Sequence, residues 1–443
     1  MTTIPQVAQA MQTVLTSKAE AAGQAAGFTK RPDKAKLSAS TFTQTLVFGW
    51  LAHPDATLEQ LAASAARVGV EISAQALEQR FTPRSAACLR QVLADSLCEV
   101  VAAEGAVDIP LLQRFSAVVV QDGTTIVLPE ALEAEWQGCG GSTTEHTTAA
   151  LKCGVQLDLL SGQLRRLDLA SGRTADRSLP VQRAELPEGS LRLADMGFYD
   201  LDVLAKLSAA KVYWLSRVRT DASVHSEEHG RLDLLSLVQK VGESGWEGWV
   251  WVGTQRRLRA RLLIEPVPQE VADQRRRRLR KEAQDKGRAP SAAALALAAW
   301  TILITNAPVR LMSRQEALAV MRVRWQIELL FKLWKSQGQI DQWRSQKPYR
   351  ILCEVYAKLI AMVIQHWALV VSCWSYADRS LVKASGAVRD QAHQLASARG
   401  RLPQLIEALQ TLCCVVRRSA RINPRSKHPN TYQVLLALTT TDE

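Results

Sequence analysis

The sequence predicts an α/β protein: a sheet domain carrying a β-rich insertion, flanked by helical N- and C-terminal regions. Three observations predict it. Residues 1–112 are Ala-rich with apolar residues at helical spacing, and residues 351–443 return to that spacing. Over 113–220 and again over 300–350, short apolar runs alternate with helical patterns. The segment 221–299 interrupts them with strand-like alternation and a run of charge. At 443 residues the chain exceeds one ordinary core of about 100–200 residues, so two or three domains are expected.

In the first region, TLEQLAASAARVGVEISAQALEQR (57–80) splits at Gly69, with Thr57 and Ser73 as N-caps for two short helices. That is the pattern of a DNA-reading helix-turn-helix and equally of a plain packed hairpin. SAVVVQD (116–122) is an apolar strand ending on Asp122, and TTIVLP (124–129) follows. AALKCGVQLDL and QLRRLDL, joined at Leu160-Ser161-Gly162, read as a β-hairpin. RLADMGFYD (192–200) puts Asp195 at a second strand end; a helix and the strand KVYWLSRVR come next. In the insertion, GWEGWVWVGTQRRLRARLLIEPVP reads as one or two strands before a charged helix. WTILITNAP (300–308) returns to a buried strand, and 313–338 reads as one helix with Ser313 and Glu316 forming a capping box and Gly338 at its exit.

Composition excludes several classes. Hydrophobic residues at 47% and charged residues at 22% are incompatible with wholesale disorder. No run reaches the roughly 18 uninterrupted apolar residues of a membrane helix; 351–375 contains Glu354, Lys358 and His366. The first residues lack a secretory pattern. The eight cysteines are scattered without CxxC spacing, which fits buried thiols in a reducing cytoplasm and argues against structural zinc. No P-loop, HExxH or GxSxG is present, and GCGGS (138–142) is too short for a nucleotide fingerprint. His146 has no partner visible in the sequence and is read as non-catalytic. The net charge of +12 points to a polyanionic partner, nucleic acid or an acidic surface. Residues 255–288 hold 12 Lys/Arg against 5 Asp/Glu, with Arg275, Arg276, Arg277 and Arg278 in succession; the run is either a phosphate-facing surface or a solvated helix face.

On an unbroken helix over 313–338, Met321, Arg324, Glu328 and Lys335 fall within a roughly 60° arc. A carboxylate between two cations there is either a surface pair or part of a site. Two strand-end aspartates and Glu328 can together hold two Mg²⁺ ions for phosphoryl transfer, with Arg324 and Lys335 on phosphates.

QDGTTIVLP, LADMGFYDLDVLAKL, RVRWQIELLFKLWK and WTILITN together resemble the cut-and-paste bacterial insertion-sequence transposases of the "IS four" class. The resemblance covers about 115–350. The family signature is Tyr-x2-Arg-x3-Glu-x6-Lys; Arg324, Glu328 and Lys335 match it, whereas Met321 replaces the Tyr and cannot donate its phosphate hydrogen bond. The resemblance implies a ribonuclease-H-like catalytic domain with Asp122, Asp195 and Glu328 as catalytic metal ligands. It implies Mg²⁺, two ions, with Mn²⁺ as substitute. It implies DNA partners, the terminal inverted repeats and the target, and a homodimer in the synaptic complex, in the bacterial cytoplasm with no membrane. Trp300, 28 residues before Glu328, would stack a flipped base during hairpin formation, and Arg217 would support phosphate binding. The alternative is a decayed or domesticated transposase that only binds DNA.

Overall fold

The computed structural model describes residues 2–29, 36–140, 148–219, 222–226, 230–254, 257–285, 287–398, 400–422 and 431–439. His146 and part of the basic tail, 423–430, lie outside the described residues. The protein is mixed α/β, with a large sheet and helices at both ends of the chain. Two compact units cut across the sequence-derived segments. One joins residues 1–109, 123–174 and 325–433; the other joins 110–122, 175–324 and 434–443.

The first unit is built on the helix Pro348–Cys373, against which Ala39–Ala52, Pro83–Ser96 and Leu402–Ser419 pack. That helix is long and apolar enough to cross a membrane, yet 94% of its apolar window is buried inside the protein. Two of its three charges neutralise each other: Lys358 Nζ lies 2.8 Å from Glu354 Oε1, both side chains almost fully buried. The capping boxes at Ser38 and Thr57 form, and Ser73 caps its helix. The second helix of the 57–80 pair is only Ala74–Glu78, five residues, shorter than the pattern predicts. β1 (Val118–Leu128) enters this unit in its second half; β2 (Ala149–Asp158) and β3 (Leu164–Ser171) form the expected antiparallel hairpin, in the order β3-β2-β1.

The hairpin turn docks on the central helix. Gly162 has φ +75°, and a Cβ there would lie 2.6 Å from the Trp374 indole. The Gly162 carbonyl can only accept, so His366 Nε2, 2.6 Å away, carries the proton and donates to it. Nδ1 is buried with no hydrogen-bond partner among the described residues. Burial first, and Arg379 after it, push the imidazole pKa down to about 4, against the bond to Gly162. The unfolded chain therefore takes up a proton that the folded chain refuses: the stability is fully present above about 6.5 and lost as pH falls toward 4. We expect wild type to lose about 3 kcal/mol more than His366→Gln across that window, read from urea unfolding at each pH.

The second unit holds β4 (Leu191–Ala194), β5 (Tyr213–Arg217), β6 (Val224–Ser226), β7 (Gly230–Leu232), β8 (Trp246–Val252), β9 (Leu258–Pro266) and β10 (Trp300–Thr305). Their order is β1-β4-β5-β10-β9-β8-β6-β7. β1, β4 and β5 run parallel; β10 is antiparallel to both β5 and β9, so the insertion strands extend the same sheet.

Two expectations need correction. SAVVVQD and TTIVLP are one continuous strand, so Asp122 is interior to β1 and not at its end. The helix over 313–338 is two helices, Arg314–Val323 and Trp325–Ser336, with Arg324 between them. Apolar spacing persists across Arg324, which is why the sequence hides the break. The Ser313–Glu316 box is present as expected.

Candidate active site

In the second unit, β1 and β4 pair in register as far as Gln121↔Ala194. Asp122 follows Gln121 inside β1, and Asp195 follows Ala194, the last residue of β4. The two parallel strands thus bring Asp122 and Asp195 out directly after the last pair of their ladder. Asp195 N-caps the short 3₁₀ turn Met196–Phe198 through its backbone, and its side chain makes no capping bond. Asp122 Oδ2 receives Arg324 Nη1 at 3.3 Å, each side chain less than one-fifth exposed. Arg324 owes its place to the helix break, where it caps the end of Arg314–Val323. Met321 is buried at 8% on that helix, so a tyrosine there would need a buried hydroxyl partner.

In the first unit, Glu328 lies in the first turn of Trp325–Ser336, half-buried, and Lys335 follows seven residues on, on the same helix face. Lys335 Nζ donates to the Thr125 carbonyl at 2.9 Å; Thr125 is three residues beyond Asp122 on β1. The helix also exposes Trp325, whose ring lies 4.2 Å from Lys332 Nζ. Sequence reasoning passed over this pair; an exposed Trp beside Arg324 was the available signal.

Trp300 starts β10, half-buried, and packs on the cluster of Leu262, Ile264, Leu297 and Ile304. Its carbonyl accepts from Arg275 Nη1 at 2.9 Å, and Arg275 Nη2 reaches Thr301 Oγ1 at 3.1 Å. Arg217, exposed at the end of β5, faces Leu303 of β10. Burial lowers the Arg275 pKa, and the Arg217 charge lowers it further. Arg275 thus lies against Trp300 and Thr301 at the start of β10, and Arg217 pairs with Leu303 further along the strand.

The arginine run divides by face of the helix Gln269–Gln284. Arg276 turns inward to Asp273 at 2.8 Å and the Leu295 carbonyl at 3.1 Å, as Arg275 turns to β10. Arg277 and Arg278 are exposed, the latter paired with Glu282 at 2.7 Å. Four consecutive helix positions sweep most of the circumference, so no run of four can face one partner.

The donor chemistry at the paired strands suits a hard cation: carboxylate oxygens on a rigid sheet. Among the described residues no three His, Cys, Asp or Glu side chains are gathered closely enough to hold a metal ion. The pair Asp122–Asp195 therefore fits two ligands of such an ion, with further ligands to come from elsewhere.

Comparison with known proteins accords with this arrangement. The family model for a transposase DDE domain matches residues 113–364, more than half of the chain. The chain is 25% identical over 315 residues to the transposase for insertion sequence element IS231F of Bacillus thuringiensis subsp. israelensis, covering 67% of this chain and 65% of that protein. It is 24% identical over 351 residues to the transposase for IS1151 of Clostridium perfringens, covering 75% and 74%. It is 28% identical over 250 residues to the putative transposase InsL for IS186A of Escherichia coli (strain K12), covering 54% and 62%. The chain thus spans just under two thirds of the first of these relatives. With its strand-borne aspartates inside the matched segment, the chain belongs to the DDE transposase family of bacterial insertion sequences.

Proposed function

We propose that this protein is a cut-and-paste transposase that nicks DNA at the ends of its element and joins the freed 3′-hydroxyl to a second strand. What supports the reading is that Asp122 and Asp195 each directly follow the last pair of the β1–β4 ladder, with Arg324 on Asp122. In this reading β1 to β5 are the ribonuclease-H-like core, and Glu328 adds the third carboxylate. Asp122 and Asp195 would hold Mg²⁺ ions, or Mn²⁺ in their place, and Glu328, which is not gathered with them here, would have to join them for the two-ion arrangement. Such ions, when bound, supply activation of the attacking oxygen and charge stabilisation at the leaving oxygen. Arg324 binds a phosphate oxygen by its planar fork once DNA displaces it from Asp122, and Lys335 offers a point charge on the same strand. The partners are the terminal inverted repeats and target DNA, with a second copy of the chain in the synaptic complex, in the bacterial cytoplasm at the nucleoid.

Met321 favours the second reading, a decayed copy that binds DNA without cutting it. Metal-dependent nicking of an end-labelled duplex separates the two: nicks support the transposase, and binding without nicks supports the decayed copy.

Trp300 is assigned the flipped base. Arg217, exposed on β5, is suited to the phosphates of a distorted strand, while Arg275 holds the start of β10. Trp300→Ala should leave first-strand nicking near normal and slow hairpin formation by about 1–3 kcal/mol of lost stacking. On denaturing gels, a parallel fall of nick and hairpin would make Trp300 a packing residue of the β10 core.

The division of the arginine run sharpens the expected salt dependence. Arg277→Ala with Arg278→Ala should reduce the slope of log affinity against log salt by about 2, at about 0.9 per phosphate contact, with no change in folding. Arg275→Ala should instead lower the melting temperature, because it leaves the Trp300 carbonyl without this donor. An unchanged slope in the exposed pair assigns those two arginines to solvent.

A further inference from the structure

Beneath the two aspartates the second unit buries a polar cluster that the proposed reaction does not use. Arg192 on β4 and Gln182 are each 3% exposed, and Gln121 on β1 is fully buried. Arg192 Nε donates to Gln121 Oε1 at 3.2 Å, and its Nη2 donates to Gln182 Oε1. Gln121 Nε2 donates to Gln182 Oε1 at 3.0 Å, and Gln182 Nε2 donates to the Phe198 carbonyl at 2.9 Å. Burial pushes the guanidinium pKa down to about 10, with Asp200 opposing it, so Arg192 stays charged at neutral pH. Among the described residues no carboxylate is paired with it; two neutral amides hold it instead.

A buried cation solvated by amides costs folding free energy that an apolar residue would not. Its connections indicate what the cost serves. Gln121 immediately precedes Asp122. Phe198 closes the 3₁₀ turn that Asp195 opens, its N–H donating to the Asp195 carbonyl at 3.0 Å. Gln182 donates to the carbonyl of the same residue, Phe198. Opposite the turn, a Cβ on Gly197 would lie 2.5 Å from Asp176 Oδ2, so this backbone is closely held on two sides. Alternation along β1 turns Gln121 and Asp122 to opposite faces, so the cluster acts through backbone and not by touching the carboxylate.

We propose that Arg192, Gln121 and Gln182 are positioning residues that fix the separation of Asp122 and Asp195, so that the pair meets a divalent ion without reorganising. The inference rests on the reading of Asp122 and Asp195 as metal-holding residues. Groups bonded directly to metal ligands typically set 10–100-fold in affinity, and a cluster acting through the backbone is expected at the lower end of that range. Gln182→Glu is the discriminating variant. It keeps oxygens for Arg192 and for Gln121, but an ionised carboxylate cannot donate to the Phe198 carbonyl.

The test uses the full chain bound to an end-sequence duplex, with Mn²⁺ as the probe and free Mn²⁺ read by electron paramagnetic resonance. Gln182→Glu should bind the duplex as wild type does and, read below its own melting temperature, need about tenfold more Mn²⁺ for half-saturation. Half-saturation of nicking should shift in parallel. Should the variant melt lower, Gln182→Met, which lacks the same donor, reads the shift below its own melting temperature. Unchanged Mn²⁺ affinity in the folded variants overturns the inference alone. Wild-type Mn²⁺ binding that ignores both Asp122→Asn and Asp195→Asn overturns the metal reading, and the inference with it.

Discussion

Asp122→Asn, Asp195→Asn and Glu328→Gln are each expected to reduce end cleavage on the order of a thousandfold while leaving end binding within a few-fold of wild type. Each change removes one anionic oxygen from a proposed metal ligand and leaves the shape of the side chain. Losing about 4 kcal/mol of transition-state stabilisation corresponds to that factor in rate. Asn at 122 still offers an oxygen to Arg324, so the local fold persists. Gel shift and cleavage on the same labelled duplex separate the effects. Near-full nicking by any one variant would remove that residue from the site.

Lys358→Met is expected to be the most destabilising single change, at about 3–5 kcal/mol. The ammonium is fully enclosed and does three things at once. It pairs with Glu354 at 2.8 Å and donates to the carbonyls of Gln339 at 3.1 Å and Gln342 at 2.8 Å. Burial drives Lys358 down and Glu354 up, each toward its neutral form, and their pairing opposes both shifts. Removing the lysine strands the carboxylate and both carbonyls. Gln339 sits at φ +45°, a conformation uncommon outside glycine, and Gly338 beside it would place a Cβ 2.5 Å from Met362 Sδ. The lysine thus pins the chain where it leaves the helix of Glu328 and Lys335. A melting temperature lower by on the order of 10 °C is expected. The double variant Glu354→Leu with Lys358→Met should recover much of the loss, since the stranded charge is then gone. A small effect of the single variant would mean that water reaches Glu354.

Where the sequence was legible, the signal was local. Thr57, Ser73 and Ser313 cap helices because a hydroxyl at that offset satisfies an otherwise orphaned amide, whatever lies around it. The hairpin at Gly162 and the acid-ending strand RLAD were legible for the same reason. The break at Arg324 was not, because the apolar period runs through it and the arginine is drawn out by Asp122, 202 residues away in the chain. The fate of Arg275 was hidden likewise: whether a guanidinium faces solvent or the Trp300 carbonyl depends on how a distant strand lies. Joining of the N- and C-terminal helices, as Ile4–Thr13 packs on Leu402–Ser419, is wholly non-local. The candidate acids were named from the sequence, but that Asp122 and Asp195 both follow the last pair of one parallel ladder comes from the register of β1 on β4.

The central claim is that this site transfers a phosphoryl group from one DNA strand to another. Purified protein, a duplex ending in the element's terminal repeat with a labelled 3′ end, and a supercoiled plasmid, incubated with Mg²⁺, test it most directly. The account predicts label covalently joined to plasmid DNA, absent without Mg²⁺ and absent with Asp195→Asn. Stable binding of the duplex with neither a nick nor a joined product, in Mg²⁺ and in Mn²⁺, would contradict it.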